Sequence, residues 1–231
     1  KTSAGDMPFS RYKALEDEPC VFCESTEYEF SPEDMGDGEI LERLTALKDE
    51  CLAADERVID GGAIFQYRIY HKLFLSKNRD MEQNVMYAGG AVFAYVKKGQ
   101  VVKDAMKAYS NLGGAEIMDK IHDGIKTAIK SAVDQLDSEQ ITPGEYDCIC
   151  CPEVTGMIAH EAFGHGVEMD MFVKDRALAK SYVGQSVASP ILNMHDGASL
   201  EARRESATYF FDDDGVISKD TVIIKDGILQ S

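Results

Sequence analysis

Two stretches of the chain place apolar residues at the three- and four-residue spacing of an amphipathic helix. The first runs from about Pro32 to Asp55, and it begins with Glu33 and Asp34 directly after the proline. Acidic side chains in a first turn meet the positive end of the helix dipole, so this is a typical helix start. The second stretch runs from 114 to about 136. The predicted buried positions are Ile40, Leu41, Leu44, Leu47, Cys51 and Leu52 in the first helix and Ile117, Ile121, Ile125, Ala128, Ile129, Ala132, Val133 and Leu136 in the second.

Between these helices, β-branched and aromatic residues dominate, which predicts strands. Turn-forming residues at 61–62, 76–80 and 97–100 separate them, and the result is an antiparallel meander with one solvent-exposed face. The predicted strands are 57–60, 62–70, 71–75, 83–87 and 90–96. Residues 1 to about 32 show no clear period and are expected to be irregular.

A polar segment at 137–145, which contains Pro143 and Gly144, is the best candidate for a domain boundary. It divides an N-terminal α+β region, residues 1–138, from residues 139–231, which we expect to be the first part of a second, β-rich domain. The elements predicted for the second region are a short buried strand at 146–151, a helix from Pro152, and strands at 192–193, 207–211 and 221–224. The predicted fold class is α+β, with helices packed on an antiparallel sheet, then the metal-motif helix described below and the start of a second sheet.

Composition narrows the function classes. The chain has 231 residues, with 41 acidic against 24 basic side chains and a net charge of −17. Direct binding to nucleic acid or to an anionic membrane surface is therefore not expected, because both need clustered Lys and Arg. No apolar run approaches the roughly 18 residues of a membrane span, and the first residues lack the apolar region of a signal peptide.

Six cysteines are too few for a disulfide scaffold, which favours a reducing, cytoplasmic compartment. The start without Met and the end within a predicted hairpin indicate a piece of a longer protein.

The strongest chemical motif is His160-Glu161-Ala-Phe-Gly-His165, an H-E-x-x-x-H pattern. Zinc proteases commonly carry H-E-x-x-H, with both imidazoles on one helix face. A spacing of five residues would separate the rings by about 140° on an α-helix, and a local π-turn would reduce this to roughly 50°. Gly164 would give the backbone freedom for that turn. In this interpretation His160 and His165 bind the metal, and Glu161 accepts a proton from metal-bound water.

The residues alone do not decide which side chain is the third metal ligand, or whether the motif binds a metal. A catalytic zinc needs a third protein ligand, and the nearby candidates Glu168, Asp170 and His195 do not lie at a compelling spacing. Alternatively, the two histidines and the glutamate share a buried helix for ordinary packing reasons. Asp212-Asp-Asp-Gly215 similarly allows a calcium site, but a type I turn is the commoner use of this pattern.

The run 152–170 closely resembles the TldD/PmbA family, also called peptidase U62 or "modulator of DNA gyrase". It is similar to the TldD branch, because the PmbA (TldE) branch lacks the H-E-x-x-x-H pattern. The resemblance continues through 180–189, 195–197 and 211–215, and more weakly in the helix around 41–52.

The resemblance implies a cytoplasmic zinc metallopeptidase that acts on peptide-like or unfolded substrates. His160 and His165 would bind zinc, Glu161 would be the catalytic base, and the third ligand would be a Cys downstream of this chain. A homodimer, or a heterodimer with a TldE/PmbA-like subunit, is also implied. The alternative from another class is a non-catalytic modulator that acts through protein contacts.

Overall fold

The computed structural model describes residues 17–197 and 206–230. The chain divides into two compact units: residues 18–142 with 206–218, and residues 143–197 with 219–230. The α+β class predicted from the sequence is confirmed. The first unit contains β1 (Cys20–Ser25), α1 (Pro32–Ala53), β2 (Val58–Leu75), β3 (Arg79–Lys98), β4 (Val101–Leu112) and α2 (Ile117–Leu136). The second contains α3 (Pro152–Ala162), a 3₁₀-helix (Gly164–Val167), α4 (Met169–Val173), a second 3₁₀-helix (Leu178–Tyr182), β5 (Met194–Gly197), β6 (Asp220–Lys225) and β7 (Ile228–Leu229).

Strand β3 is the centre of the four-stranded sheet in the first unit. Strand β2 pairs with it antiparallel along one side. The other side carries β1, which is parallel to residues 79–84, and then β4, which is antiparallel to residues 87–98. The antiparallel arrangement follows the prediction. Strand β4 follows the turn predicted at 97–100, although no strand bounds were predicted there, and residues 20–25 are a strand rather than irregular.

The predicted strand break at Gly61 and Gly62 is wrong, because β2 continues through both residues. A Cβ atom at Gly61 would lie 2.9 Å from the Cys51 sulfur, and one at Gly62 would lie 2.8 Å from the Phe93 ring. Gly61 therefore allows close packing of α1 on the sheet and Gly62 allows close packing against β3, and neither marks a turn.

Both helices of the first unit pack on one face of the sheet. Ile117, Ile121 and Ile125 of α2 meet Ala88 and Val92 of β3 in a buried core. The helix predicted from 114 to about 136 is confirmed but begins three residues later, at Ile117, and its buried residues extend from Ile117 to Leu136.

The predicted buried face of α1 is only partly correct. Leu47 and Cys51 are buried, whereas Leu41 is 66% exposed. Gly36 interrupts the helix with φ 73° and ψ 159°; apart from Pro32 at the start of α1, the buried residues belong to its later turns, which pack in the core beside the sheet. The helix start is as predicted, and the Ser31 hydroxyl accepts a hydrogen bond from the backbone N–H of Asp34.

Residues 206–218 lie on the opposite face of the same sheet. Phe210 and Phe211 are buried there with Met81, Val85 and Leu112. The prediction that 207–211 forms a strand of the second sheet is therefore wrong, because its apolar side chains are used by the first core. The following residues form a turn, as favoured over a calcium site: an Asp212 carboxylate oxygen accepts hydrogen bonds from the backbone N–H groups of Asp214 and Val216.

The second unit has a small antiparallel sheet in the order β5-β6-β7. Its core contains Ile223, Ile224 and Leu229, with Phe163 and Val167 packed against it. The predicted strand 221–224 corresponds to β6, and the strand predicted at 192–193 begins later, at Met194.

The buried strand predicted at 146–151 is absent from this unit. Cys148, Cys150 and Cys151 are all exposed, and no strand of the described chain pairs with them. Alternating apolar residues form a strand only where a neighbour supplies hydrogen-bond partners. Among the described helices, none combines the length and apolar character that crossing a bilayer requires.

Candidate metal centre

Helix α3 carries the first two residues of the motif in its last turn. Cys151 precedes the helix in an extended conformation and Pro152 begins it, which is the expected place for a proline. The last α-helical hydrogen bond runs from the Phe163 N–H to the Ala159 carbonyl. His160 and Glu161 therefore lie at the helix end.

The chain leaves the α-helix at Phe163, where φ is −133° and ψ is −43°. It continues as the 3₁₀-helix Gly164–Val167, in which the Gly166 N–H donates to the Phe163 carbonyl at 2.9 Å. The prediction of a π-turn is wrong: the two imidazoles meet because the helix ends between them. Phe163 packs against the core of the small sheet, which accounts for the change in direction.

His160 and His165 lie side by side in this arrangement. Their ring centroids are 4.5 Å apart with an interplanar angle of 71°. The Glu161 carboxylate oxygens lie 4.0 Å from His160 Nε2 and 3.8 Å from His165 Nε2. One donor atom from each residue lies within 4.8 Å of the others.

The three side chains are solvent-accessible, with 63%, 62% and 53% of His160, Glu161 and His165 exposed. Helix α3 has no buried residue, so packing in a buried helix does not explain the motif. Two imidazole nitrogens are donors that zinc accepts, and donors around tetrahedral zinc lie roughly 3.4 Å apart, while the carboxylate beside them can accept a proton without being a ligand. Exposed side chains can make the small rotations needed, so the residues present fit a zinc ion.

None of the three predicted candidates for a third ligand joins this cluster. Glu168 accepts a hydrogen bond from His165 Nδ1 at 2.7 Å. Asp170 pairs with Lys174 at 2.6 Å. His195 Nδ1 lies 3.0 Å from a carboxylate oxygen of Asp220. Within residues 17–197 and 206–230, the cluster is His160, Glu161 and His165 and includes no cysteine.

The electrostatics of the cluster favour the protonated form of His165. The hydrogen bond to Glu168 raises the pKa of His165, and the charges of Glu168 and Glu161 add to this, while desolvation opposes it. A histidine must be neutral to bind a metal, so a proton competes with any metal at His165.

Sequence reasoning missed the role of Glu168, which it treated only as a possible ligand. The available signal was its distance of three residues from His165. In a 3₁₀-helix, side chains three residues apart lie on the same side. Side chains three residues apart are also neighbours on an α-helix, so the spacing could have suggested this pair before the 3₁₀ conformation was known.

Together, the α+β fold and the His-Glu-His cluster place the chain in the class of proteins with a metallopeptidase-type motif. Residues 143–231 match the family model described as the PmbA/TldA metallopeptidase C-terminal domain. The "Metalloprotease" of Archaeoglobus fulgidus is 26% identical over 204 residues, which cover 87% of this chain and 46% of that protein. The "Zinc metalloprotease TldD homolog" of Saccharolobus solfataricus is 27% identical over 165 residues, which cover 70% of this chain and 36% of that protein.

A solved structure supports the fold. The crystal structure of a putative modulator of DNA gyrase from Bacteroides thetaiotaomicron matches with a TM-score of 0.69 and 16% identity, over 96% of this chain and 48% of that chain. The predicted resemblance to the TldD/PmbA family is therefore confirmed. The chain spans about half or less of the length of these proteins.

Proposed function

We propose that this chain is part of a zinc metallopeptidase that hydrolyses peptide bonds in unfolded or peptide-like substrates. The observation that carries the proposal is the meeting of His160, Glu161 and His165, whose donor atoms lie within 4.8 Å of one another. The family resemblance and the metalloprotease names of the relatives support the same reaction class.

The two histidines would hold the ion. His165 would bind through Nε2, because its Nδ1 is engaged by Glu168. His160 lies beside it with its ring solvent-accessible. Zn²⁺ bound there would act as a Lewis acid that polarises the substrate carbonyl and lowers the pKa of bound water. A downstream Cys outside this chain is the expected third ligand.

Glu161 would be the catalytic base. Its carboxylate lies between the two imidazoles and is exposed, so a water molecule that enters the cluster can approach it. A carboxylate in this position can accept a proton from the attacking water and deliver it to the departing amine.

The proposed substrate class is consistent with recognition of the peptide main chain, which does not depend on the side chains of the substrate. An extended peptide can pair with a sheet edge through main-chain hydrogen bonds, which suits unfolded substrates. The net charge of −17 disfavours direct contact with nucleic acid. We further propose a cytoplasmic location and a homodimer, or a heterodimer with a TldE/PmbA-like subunit.

Metal analysis with matched variants tests this function. The chain, and the longer protein that we expect to contain it, are loaded with zinc, dialysed and analysed for metal. His160→Ala and His165→Ala should lose zinc, while His195→Ala serves as the control because His195 pairs with Asp220 outside the cluster.

Cleavage of a labelled unfolded protein is then measured. Glu161→Gln should keep zinc and lose cleavage, whereas Glu153→Gln, in the first turn of the same helix, should keep both. Failure of the longer protein to bind added zinc would overturn the proposal and favour a non-catalytic modulator. Full cleavage by Glu161→Gln would overturn the role of Glu161.

A further inference from the structure

We propose that Glu168 is a positioning residue that fixes the tautomer and orientation of His165 and is not itself a metal ligand. This inference rests on the proposed zinc site. It assigns to Glu168 the role of the carboxylate that orients a metal-binding imidazole from behind.

The backbone places these two side chains together. His165 lies in the 3₁₀-helix Gly164–Val167, and Glu168 is the residue that follows it. A 3₁₀-helix has three residues per turn, so positions 165 and 168 lie on the same side. An α-helical continuation would rotate Glu168 away by roughly 60° relative to this alignment.

Both ends of this turn are anchored within the same unit. Phe163 and Val167, before and after His165, pack against the core of the small sheet. Glu168 has an extended conformation, with φ −59° and ψ 128°, and its carbonyl accepts hydrogen bonds from the N–H groups of Met171 and Phe172. The exposed imidazole of His165 is therefore attached to a backbone that is fixed on each side.

The hydrogen bond decides which nitrogen of His165 is available. A carboxylate can only accept, so the 2.7 Å contact with Glu168 Oε1 places the proton on Nδ1. The Nε2 lone pair then points to the side of the cluster, where Nε2 lies 3.8 Å from Glu161. Without this acceptor, the ring could rotate or move its proton to Nε2, and either change would take the lone pair away from the side of His165 that faces the cluster.

The first test needs no metal. In the metal-free chain at mildly alkaline pH, the ¹⁵N shifts of the His165 ring report the tautomer. We expect the Nδ1–H form in the unmodified chain, loss of this preference in Glu168→Ala, and partial retention in Glu168→Gln, whose amide oxygen can still accept. Asp170→Asn is the control, because Asp170 pairs with Lys174. An unchanged tautomer in Glu168→Ala would overturn the inference, whatever the outcome for zinc.

The second test measures Zn²⁺ affinity by competition with a chromophoric chelator, on the chain or on the longer protein, whichever binds zinc. Removal of an orienting partner typically costs 10- to 100-fold in metal affinity, so we expect that loss in Glu168→Ala and a smaller loss in Glu168→Gln. Equal losses in both variants, with the tautomer unchanged, would instead make Glu168 a direct ligand. Absence of zinc binding with the expected tautomer change would overturn the zinc site but leave the His165–Glu168 pair established.

Discussion

The buried side chain of Gln83 should contribute strongly to the stability of the first unit. It is 2% exposed in strand β3. Its Oε1 accepts hydrogen bonds from the backbone N–H groups of Phe210 and Phe211 at 2.9 and 3.2 Å, and its Nε2 donates to the Phe211 carbonyl at 2.9 Å. One side chain therefore bonds three main-chain groups of the segment that covers this face of the sheet.

The substitution Gln83→Leu introduces an apolar side chain of similar size and removes all three hydrogen bonds. At about 1 kcal/mol for each buried group that loses its partner, the free energy of unfolding should fall by about 3 kcal/mol. Phe210 and Phe211 could partly detach to regain water, but this would expose apolar surface at a similar cost. The magnitude therefore does not depend on which response the segment takes.

Urea unfolding followed by circular dichroism measures this change. Gln66→Leu on the neighbouring strand is the matched control, because Gln66 is exposed and should change the stability by less than about 0.5 kcal/mol. A loss below about 1 kcal/mol for Gln83→Leu, or equal losses for both variants, would show that the three hydrogen bonds do not hold the segment.

Two further changes test the sheet and an exposed ion pair. Gly90→Ala would bring a Cβ atom into overlap with the Ile64 carbonyl oxygen, so thermal denaturation should show a loss of about 3 kcal/mol, whereas Gly38→Ala, with open space around it, should not destabilise the chain. The hydrogen bonds from Arg57 lower the pKa of Asp55 to about 2, so the stabilisation from this pair is present above the ordinary pKa of about 3.9 and is lost as the pH falls towards 2. NMR titration should find the low pKa and a partial rise towards the ordinary value in Arg57→Ala, because that variant loses the guanidinium but keeps the backbone N–H that donates to Asp55; an unchanged value would contradict the assigned cause.

The helices were predictable because their signal is local. The apolar residues of α2 recur over five turns, and all of them lie on the same buried face of the helix. In α1 the same reasoning placed Leu41 in the core, where it is 66% exposed. The pattern alone could not show that Gly36 interrupts the helix or that only its later turns reach the sheet.

The strands were harder to predict, because a strand forms only where a neighbouring strand supplies hydrogen-bond partners. Gly61 and Gly62 have the composition of a turn, yet β2 passes through them since Phe93 and Cys51 occupy the space where side chains would stand. The apolar residues at 146–151 and 207–211 have the composition of strands. The first group pairs with no described strand, and the second serves the core of the other unit.

The α+β class, the places of the main helices and the donor types at His160, Glu161 and His165 could be predicted, because residue chemistry and helical periodicity are local properties of the amino-acid order. The end of α3 instead depends on packing against residues far along the chain. Phe163 leaves the helix to pack on the small sheet, and this single change of direction brings the two imidazoles together and turns Glu168 towards His165. The end of the helix therefore depends on contacts between residues about sixty positions apart, and the local sequence pattern carries no information about such contacts.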